Sequence, residues 1–327
     1  VVEIGMKAIF VTEPGGVDKL RYEELPVPDP GPGQALVKLH FSGVNFIDIY
    51  FRTGLYKAPA PIVLGMEGAG VVEKVGAGVT DLAPGDRVAY AMARGSYAEY
   101  AVVPAWQLVK IPEEIGFDVA AGSMLQGMTA HYLTHSTYPL KAGDTALIHA
   151  AAGGAGQWIV AAAKLRGANV IGTTSTAAKA EIAREAGCDE VINYTERDFE
   201  AEVKRLTGGK GVDVVYDSVG KLTWEKSLNS LKPRGMMVTF GNASGPVDPI
   251  SPLLLNQKGS LFLTRPNLGN YTATRGELLW RAKDVFRWLG DGQIELHIHE
   301  VYPLSEAGRA QADLEGRKTT GKLLLAM

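Results

Sequence analysis

The segment Thr145-Ala-Leu-Ile-His-Ala-Ala-Ala-Gly-Gly-Ala-Gly156 constrains this chain more than any other. A short apolar run leads into a glycine cluster, and a small-residue helical pattern begins where the glycines end. At the spacing Ala151-x-Gly153-x-x-Gly156, Gly153 lets backbone approach an anionic group and Gly156 lets a helix pack close to its strand. The helix start then offers free amides and a positive dipole end to that anion. Glycines at such spacing are common in turns and say little alone. Here a strand precedes, a helix follows and more strand–helix pairs come after. Gly153, Gly154, Ala155 and Gly156 are therefore read as a loop that cradles the pyrophosphate of a dinucleotide.

Around this loop the pattern alternates. Strands are predicted at Thr145–Ala150, Asn169–Thr173, Glu190–Asn193, Val212–Asp217, Met236–Gly241 and Ser260–Thr264. Helices are predicted between them at Gly156–Leu165, Ala177–Ala186, Phe199–Leu206, Leu222–Leu231 and Pro252–Gln257. Such alternation means parallel βαβ units, hence an α/β fold with a doubly wound parallel sheet. Residues 6–125 read differently. Lys7–Thr12, Gln34–Ser42, Gly70–Val75, Asp86–Tyr90 and Tyr97–Val103 are short β-like runs broken by Gly and Pro, which predicts a compact, mostly antiparallel β domain with little helix. A helical stretch, Ala120–Tyr132, leads out of it, and the tail holds a long helix (Thr274–Leu289) and a last strand, Lys322–Ala326, suited to pair back with the first domain. The expected division is 1–125, then 126–265 for the dinucleotide domain, then 266–327 returning to the first.

The end of the second strand of the alternating series selects the cofactor. NAD sites carry an acidic residue there for the ribose 2′-hydroxyl. This chain has Thr173-Thr174-Ser175-Thr176-Ala177-Ala178-Lys179, with no carboxylate. Hydroxyls and a lysine suit a 2′-phosphate, so the expectation is NADPH.

Composition removes several classes of function. A net charge of −3 gives no basic footprint for nucleic acid and no polybasic membrane anchor. The longest apolar runs, such as Ile159–Ala163 and Leu323–Met327, fall far short of a membrane span. Val1–Gly5 has no basic, then apolar, signal pattern, and Met6-Lys7-Ala8 reads as a start, so the first five residues are read as additional and the protein as cytoplasmic. Cys188 is the only cysteine, which excludes an intrachain disulfide and any multi-cysteine metal cage.

Gly43-Val-Asn45-Phe-Ile-Asp48, Gly65-Met66-Glu67-Gly-Ala-Gly70, Pro84-Gly-Asp-Arg-Val88 and Ala150–Gly156 together resemble the medium-chain dehydrogenase/reductases over nearly the whole chain. The resemblance implies a GroES-like, mostly antiparallel catalytic domain beside a Rossmann domain. In the zinc alcohol dehydrogenases of that family a Cys, a His and a second Cys hold catalytic zinc. The matching positions here are Asn45, Met66 and Leu125, none a good zinc ligand, and Glu67 alone cannot hold the metal, so no metal is expected. Within the family the chain is most similar to the quinone oxidoreductases. Asn45–Tyr56, Val191–Tyr194, Val215–Gly220, Val238–Gly245, Leu255–Ser260 and Thr264–Pro266 carry that likeness. One departure is Gln126, where some relatives have Lys.

The resemblance implies a cofactor cleft lined by Asn45, Thr129, Gly153–Gly156, Thr174, Ser175, Lys179, Tyr194, Ser218, Phe240, Arg265 and Arg317, with Lys179, Tyr194 and Arg317 around the 2′-phosphate. It implies Asn45 and Tyr50 positioning a flat acceptor, a quinone or conjugated enone, over the nicotinamide, with Tyr56 closing one side. It also implies a homodimer joined near Ser260–Thr264. The expected reaction is zinc-independent hydride transfer from NADPH to a quinone. The enzymatic alternative is an alkenal or enone double-bond reductase, and the non-enzymatic one a crystallin-like nucleotide-binding protein.

Other residues carry less. His297 and His299 fit one face of a strand but lack a third clustered ligand, and His131 and His135 share one helix face, though Tyr132 stands where an HExxH motif needs Glu. His149 lies in a buried strand and is read as a satisfied core residue, and Cys188 as inert packing.

Overall fold

A computed structural model describes residues 5–327. Val1–Ile4, on which the reading of additional N-terminal residues mostly falls, lie outside the described residues, and Gly5 already opens the first strand. The chain forms two compact units, one from residues up to Met128 together with Thr272–Met327, the other Thr129–Tyr271.

In the first unit the chain runs β1 (Gly5–Val11), β2 (Arg21–Pro26), β3 (Gln34–Val44), α1 (Phe46–Thr53), β4 (Ile62–Val63), β5 (Glu67–Val75), β6 (Arg87–Ala91), β7 (Tyr100–Pro104) and β8 (Val109–Lys110), then enters α2 (Phe117–Tyr132). β3 pairs antiparallel with β5 and β7, and β5 with β6. Along β3, Ala35, Val37 and Leu39 enter a core with Val72, Val88, Tyr90 and Val103, and Val44 enters a second core with Ile9, Leu323 and Leu325.

Only α1 departs from the expectation of little helix ahead of α2. Its first turn is built at the N-cap, where the Asp48 carboxylate accepts from the Asn45 backbone amide at 2.9 Å. Ile49 and Tyr50 are buried on one side and Gly54, at φ 79°, ends it. Asn and Asp at this spacing form a capping box, which is what starts the helix.

The second unit is a parallel six-stranded sheet. It holds β9 (Thr145–Ile148), α3 (Gly154–Leu165), β10 (Asn169–Thr174), α4 (Ala177–Glu185), β11 (Glu190–Asn193), α5 (Phe199–Leu206), β12 (Val212–Asp217), α6 (Trp224–Asn229), β13 (Leu231–Thr239), α7 (Leu253–Gln257), β14 (Phe262–Thr264) and α8 (Leu268–Tyr271). The strand order is β11-β10-β9-β12-β13-β14, so the direction of winding reverses between β9 and β12. Leu147, Ile171, Ile192, Val215 and Met237 form its core with Phe199, Val203 and Leu228 from the covering helices. β13 starts at Leu231 rather than Met236, because Pro233 and Arg234 (φ 63°) sit in an irregular stretch where the register against β12 shifts. In sequence that stretch reads as a turn.

The tail adds α9 (Arg275–Gly290), β15 (Ile298–Pro303), α10 (Ala307–Glu315) and β16 (Lys322–Ala326) to the first unit. β16 pairs antiparallel with β3, Leu323 opposite Val44, and parallel with β15. No helix among the described residues is long and apolar enough to cross a membrane.

Candidate functional site

All six strands of the second unit are parallel, so their carboxyl ends share one edge, and the candidate cofactor residues fall there in turn. Thr174 ends β10, while Tyr194, Ser218, Phe240 and Arg265 directly follow β11, β12, β13 and β14. The glycine loop follows β9, with Gly153 as the N-cap of α3. A Cβ on Gly156 would stand 2.1 Å from the Ala150 carbonyl oxygen, so α3 can start this close to its loop only with glycine there. The orphan amides of the first turn of α3 then face the loop. At the neighbouring strand, Thr176 caps α4 by accepting from the Lys179 amide at 3.2 Å, which sets Lys179 in the first turn. A cation there opposes the helix dipole, and an anion at the same place offsets that cost. With its amide turned to satisfy both ends, Asn242 accepts from Arg265 Nη2 at 3.2 Å.

Beneath this edge runs a buried chain of hydrogen bonds. Asp217, fully buried, accepts from the amides of Val219 (2.8 Å) and Gly220 (2.9 Å) and the hydroxyls of Thr223 (2.7 Å) and Ser227 (3.1 Å). Because Ser227 spends its proton on a carboxylate, its oxygen accepts from His149 Nε2 at 2.8 Å. Nδ1 is then the acceptor for Thr173 Oγ1 at 2.9 Å. Burial pushes the His149 imidazole below its ordinary pKa, with Asp217 pulling the other way. The imidazole is neutral and both nitrogens are satisfied, as the reading of a core histidine requires. His149, Thr173 and Asp217 lie at the ends of the three strands that carry the glycine loop, Thr174 and Ser218.

In the first unit, α1 brings Asn45 and Tyr50 to one place, and Tyr56 meets Tyr50 edge-on at 5.2 Å between ring centres. The Tyr56 amide donates to the Tyr50 carbonyl at 3.0 Å, which closes the turn between them. Arg317, at φ 55° after α10, is exposed. Around Asn45 the structure adds a residue that the sequence reading did not select. Lys322 Nζ donates to Glu67 Oε2 at 2.6 Å and to Asn45 Oδ1 at 2.9 Å, and both charged side chains are 0% exposed. Asn45 Nδ2 donates to Glu67 Oε2 at 2.9 Å, and the Leu125 amide to Glu67 Oε1 at 2.6 Å. Asp48, beside them, is pushed up to about 7 by burial, against the bonds from Asn45 and Tyr97 and the charge of Lys322. Lys322 is 255 residues from Glu67 in sequence, and only the register of β16 against β3 could have pointed to it.

Two family models match. Residues 31–113 fit the alcohol dehydrogenase GroES-like domain and residues 154–271 the zinc-binding dehydrogenase model. A quinone oxidoreductase of Pseudomonas aeruginosa is 46% identical over 95% of this chain and 96% of its own. A 2-haloacrylate reductase of a Burkholderia species is 46% identical over 97% of this chain and 98% of its own. The chain belongs to the medium-chain dehydrogenase/reductase family, in its quinone oxidoreductase group. Among solved members, the Escherichia coli quinone oxidoreductase complexed with NADPH superposes with a TM-score of 0.96 at 44% identity, covering 98% of this chain and 100% of that one.

The zinc in the second model's description does not fit these side chains. Leu125 offers no donor atom, Met66 offers only a thioether, and both Glu67 oxygens are taken by Lys322, Asn45 and the Leu125 amide. Among the described residues, no group of three or more His, Cys, Asp or Glu could hold a metal ion. A dinucleotide does fit the carboxyl edge: the winding of the parallel strands reverses there, Gly156 lets α3 start against its loop, and no carboxylate follows β10. Cys188 is buried and its thiol is pushed up to about 12 by that burial, so it is inert.

Proposed function

We propose that this chain reduces quinones with NADPH and without zinc. The observation that carries the reading is the carboxyl edge of the parallel sheet, where a tight glycine loop adjoins a strand end that lacks an acid and has Lys179 instead. When bound there, NADPH supplies the hydride. The chain binds and orients it through Gly153, Gly154, Ala155, Gly156, Thr129, Ser218, Phe240 and Arg265, with Thr174, Ser175, Lys179, Tyr194 and Arg317 serving the adenosine end and its 2′-phosphate. Asn45, Tyr50 and Tyr56 position a flat acceptor. A quinone is already a strong hydride acceptor, so orientation carries much of the catalysis and no Lewis acid is needed.

The 46% identity to a 2-haloacrylate reductase favours a second reading, reduction of an activated carbon–carbon double bond by the same route. The test is an NADPH-oxidation screen of small quinones, enals, 2-haloacrylates and alcohols after exhaustive chelation. Quinone turnover that survives chelation is expected. Far faster turnover of activated alkenes would favour the second reading, and alcohol oxidation restored by added zinc would overturn both. Lys179→Ala should weaken NADPH binding by about 1–3 kcal/mol and leave NADH nearly unchanged, as for loss of one charge-assisted hydrogen bond.

The same reading makes the protein a homodimer. Phe262 is 59% exposed on β14, the edge strand of its sheet, and a two-fold pairing of that edge would cover it. Sedimentation showing a monomer at micromolar concentration counts against the dimer. The reading also assigns the enzyme to the cytoplasm, where NADPH is supplied and a free thiol such as Cys188 persists, to be checked by fractionation.

A further inference from the structure

The first unit buries a lysine where the family's zinc enzymes gather metal ligands. Nothing about stability requires this. Replacing a buried ion pair by apolar side chains is often neutral or favourable, so such a pair is weak grounds for a purely structural role. The chain also keeps room for it: a Cβ on Gly43 would stand 2.1 Å from Glu67 Oε2.

The bonds have a direction. Lys322 is donor only, so the amide oxygen of Asn45 must face it, and the amide nitrogen then faces Glu67 and the Gly43 carbonyl. Gln126 meets the same Asn45 oxygen through its own nitrogen at 3.4 Å. That leaves Gln126 Oε1 buried with no partner in the protein, an acceptor held ready for an N–H or O–H group from outside it. Were Asn45 to turn over, its amide nitrogen would face Gln126, which would turn in response and present donors instead.

We propose that Lys322 is a positioning residue for the reduction, fixing the orientation of the Asn45 amide and through it the acceptor polarity of Gln126. The proposal rests on the reading of Asn45 as a residue that orients the hydride acceptor. In the zinc members a metal organises this place, and here a side-chain cation clamped on Glu67 does so. The ligand class that meets Gln126 Oε1 bears an N–H or O–H donor, such as a carboxamide, a hydroquinone hydroxyl or a water that carries the proton.

The test compares Lys322→Met, Lys322→Arg and the doubly neutral Lys322→Met/Glu67→Gln, which leaves no unpaired buried charge, with the wild-type enzyme. In both variants lacking the ammonium, kcat for a small quinone should fall about ten- to a hundredfold, as for misplaced reacting groups, while NADPH affinity read by fluorescence stays within about twofold. Lys322→Arg should recover most of the loss. A purely structural role predicts a lower unfolding midpoint with kcat of the folded double variant unchanged, and that result would overturn the proposal. A second readout needs no turnover. The Asn45 side-chain amide protons, assigned by their loss in Asn45→Asp, should be protected from exchange in the wild type and lose protection in the double variant. Equal protection in both overturns the proposal. If the wild-type enzyme oxidises NADPH with none of the acceptors tested, yet the double variant still loses this protection, only the reading of function is overturned.

Discussion

The two units bury polar groups in opposite ways. Under the dinucleotide edge, Thr173, His149, Ser227 and Asp217 form a chain in which every donor finds an acceptor and the imidazole is neutral. In the first unit, Lys322 and Glu67 bury full charges, and Asp48 Oδ1 and Gln126 Oε1 have no partner. A satisfied network rigidifies a scaffold. A partly satisfied one costs stability and is tolerated where a ligand completes it. On the proposed function, the contrast separates a platform that holds from a site that reacts.

The harshest way to break this comparison is to strip one charge from the first unit. Glu67→Ala leaves Lys322 buried and unpaired, and should cost about 3–5 kcal/mol in urea unfolding, with the doubly neutral variant losing much less. In the second unit the corresponding change is milder. His149→Phe leaves the Thr173 and Ser227 hydroxyls without their ring partner, a loss of about 1–3 kcal/mol. Equal losses for the two would mean that the charged cluster is no more strained than the neutral one.

Acidity sharpens the contrast further, because the two units respond with opposite sign. His149 has a folded pKa depressed by burial, so its contribution is present above the unfolded value of about 6.5 and is lost as pH falls below it. Asp48 is raised to about 7 by burial, so its contribution is present below the unfolded value of 3.8 and is lost as pH rises through 7. Lys322 pulls the Asp48 value back down and Glu67 adds to its rise. Unfolding midpoints between about pH 5 and pH 8 should therefore rise more steeply with pH in Asp48→Asn and less steeply in His149→Phe than in the wild type. Parallel curves for all three proteins would rule out both groups as the source.

What the sequence disclosed follows the same line. The second unit is built from consecutive βαβ units, so local period and glycine spacing located its strands, its loop and the edge on which Thr174 to Arg265 fall. Its largest misread start, β13, came from Pro233 and Arg234 imitating a turn. The first unit depends on pairings between distant segments. α1 is only eight residues long and its start lies in the Asn45–Asp48 pair, which reads as loop chemistry until the helix is seen. Lys322 sits in an apolar terminal run, where a lone lysine looks like a strand's solvent face. Its partner Glu67 is specified by tertiary register, which neither propensity nor spacing encodes.

The place of β16 between β15 and β3 also bears on how the protein is made. Residues 129–271 are contiguous and hold their whole sheet, so they can fold as soon as they leave the ribosome. The first unit begins to emerge earlier but lacks an inner strand, and the ammonium that closes its polar cluster, until Lys322–Ala326 follow the whole of the second unit. The earlier segment thus waits for the later one. On stalled ribosomes, protease resistance is expected to appear in the glycine-loop unit while the N-terminal sheet is still open to cleavage, and early resistance of that sheet before β16 has emerged would contradict this order.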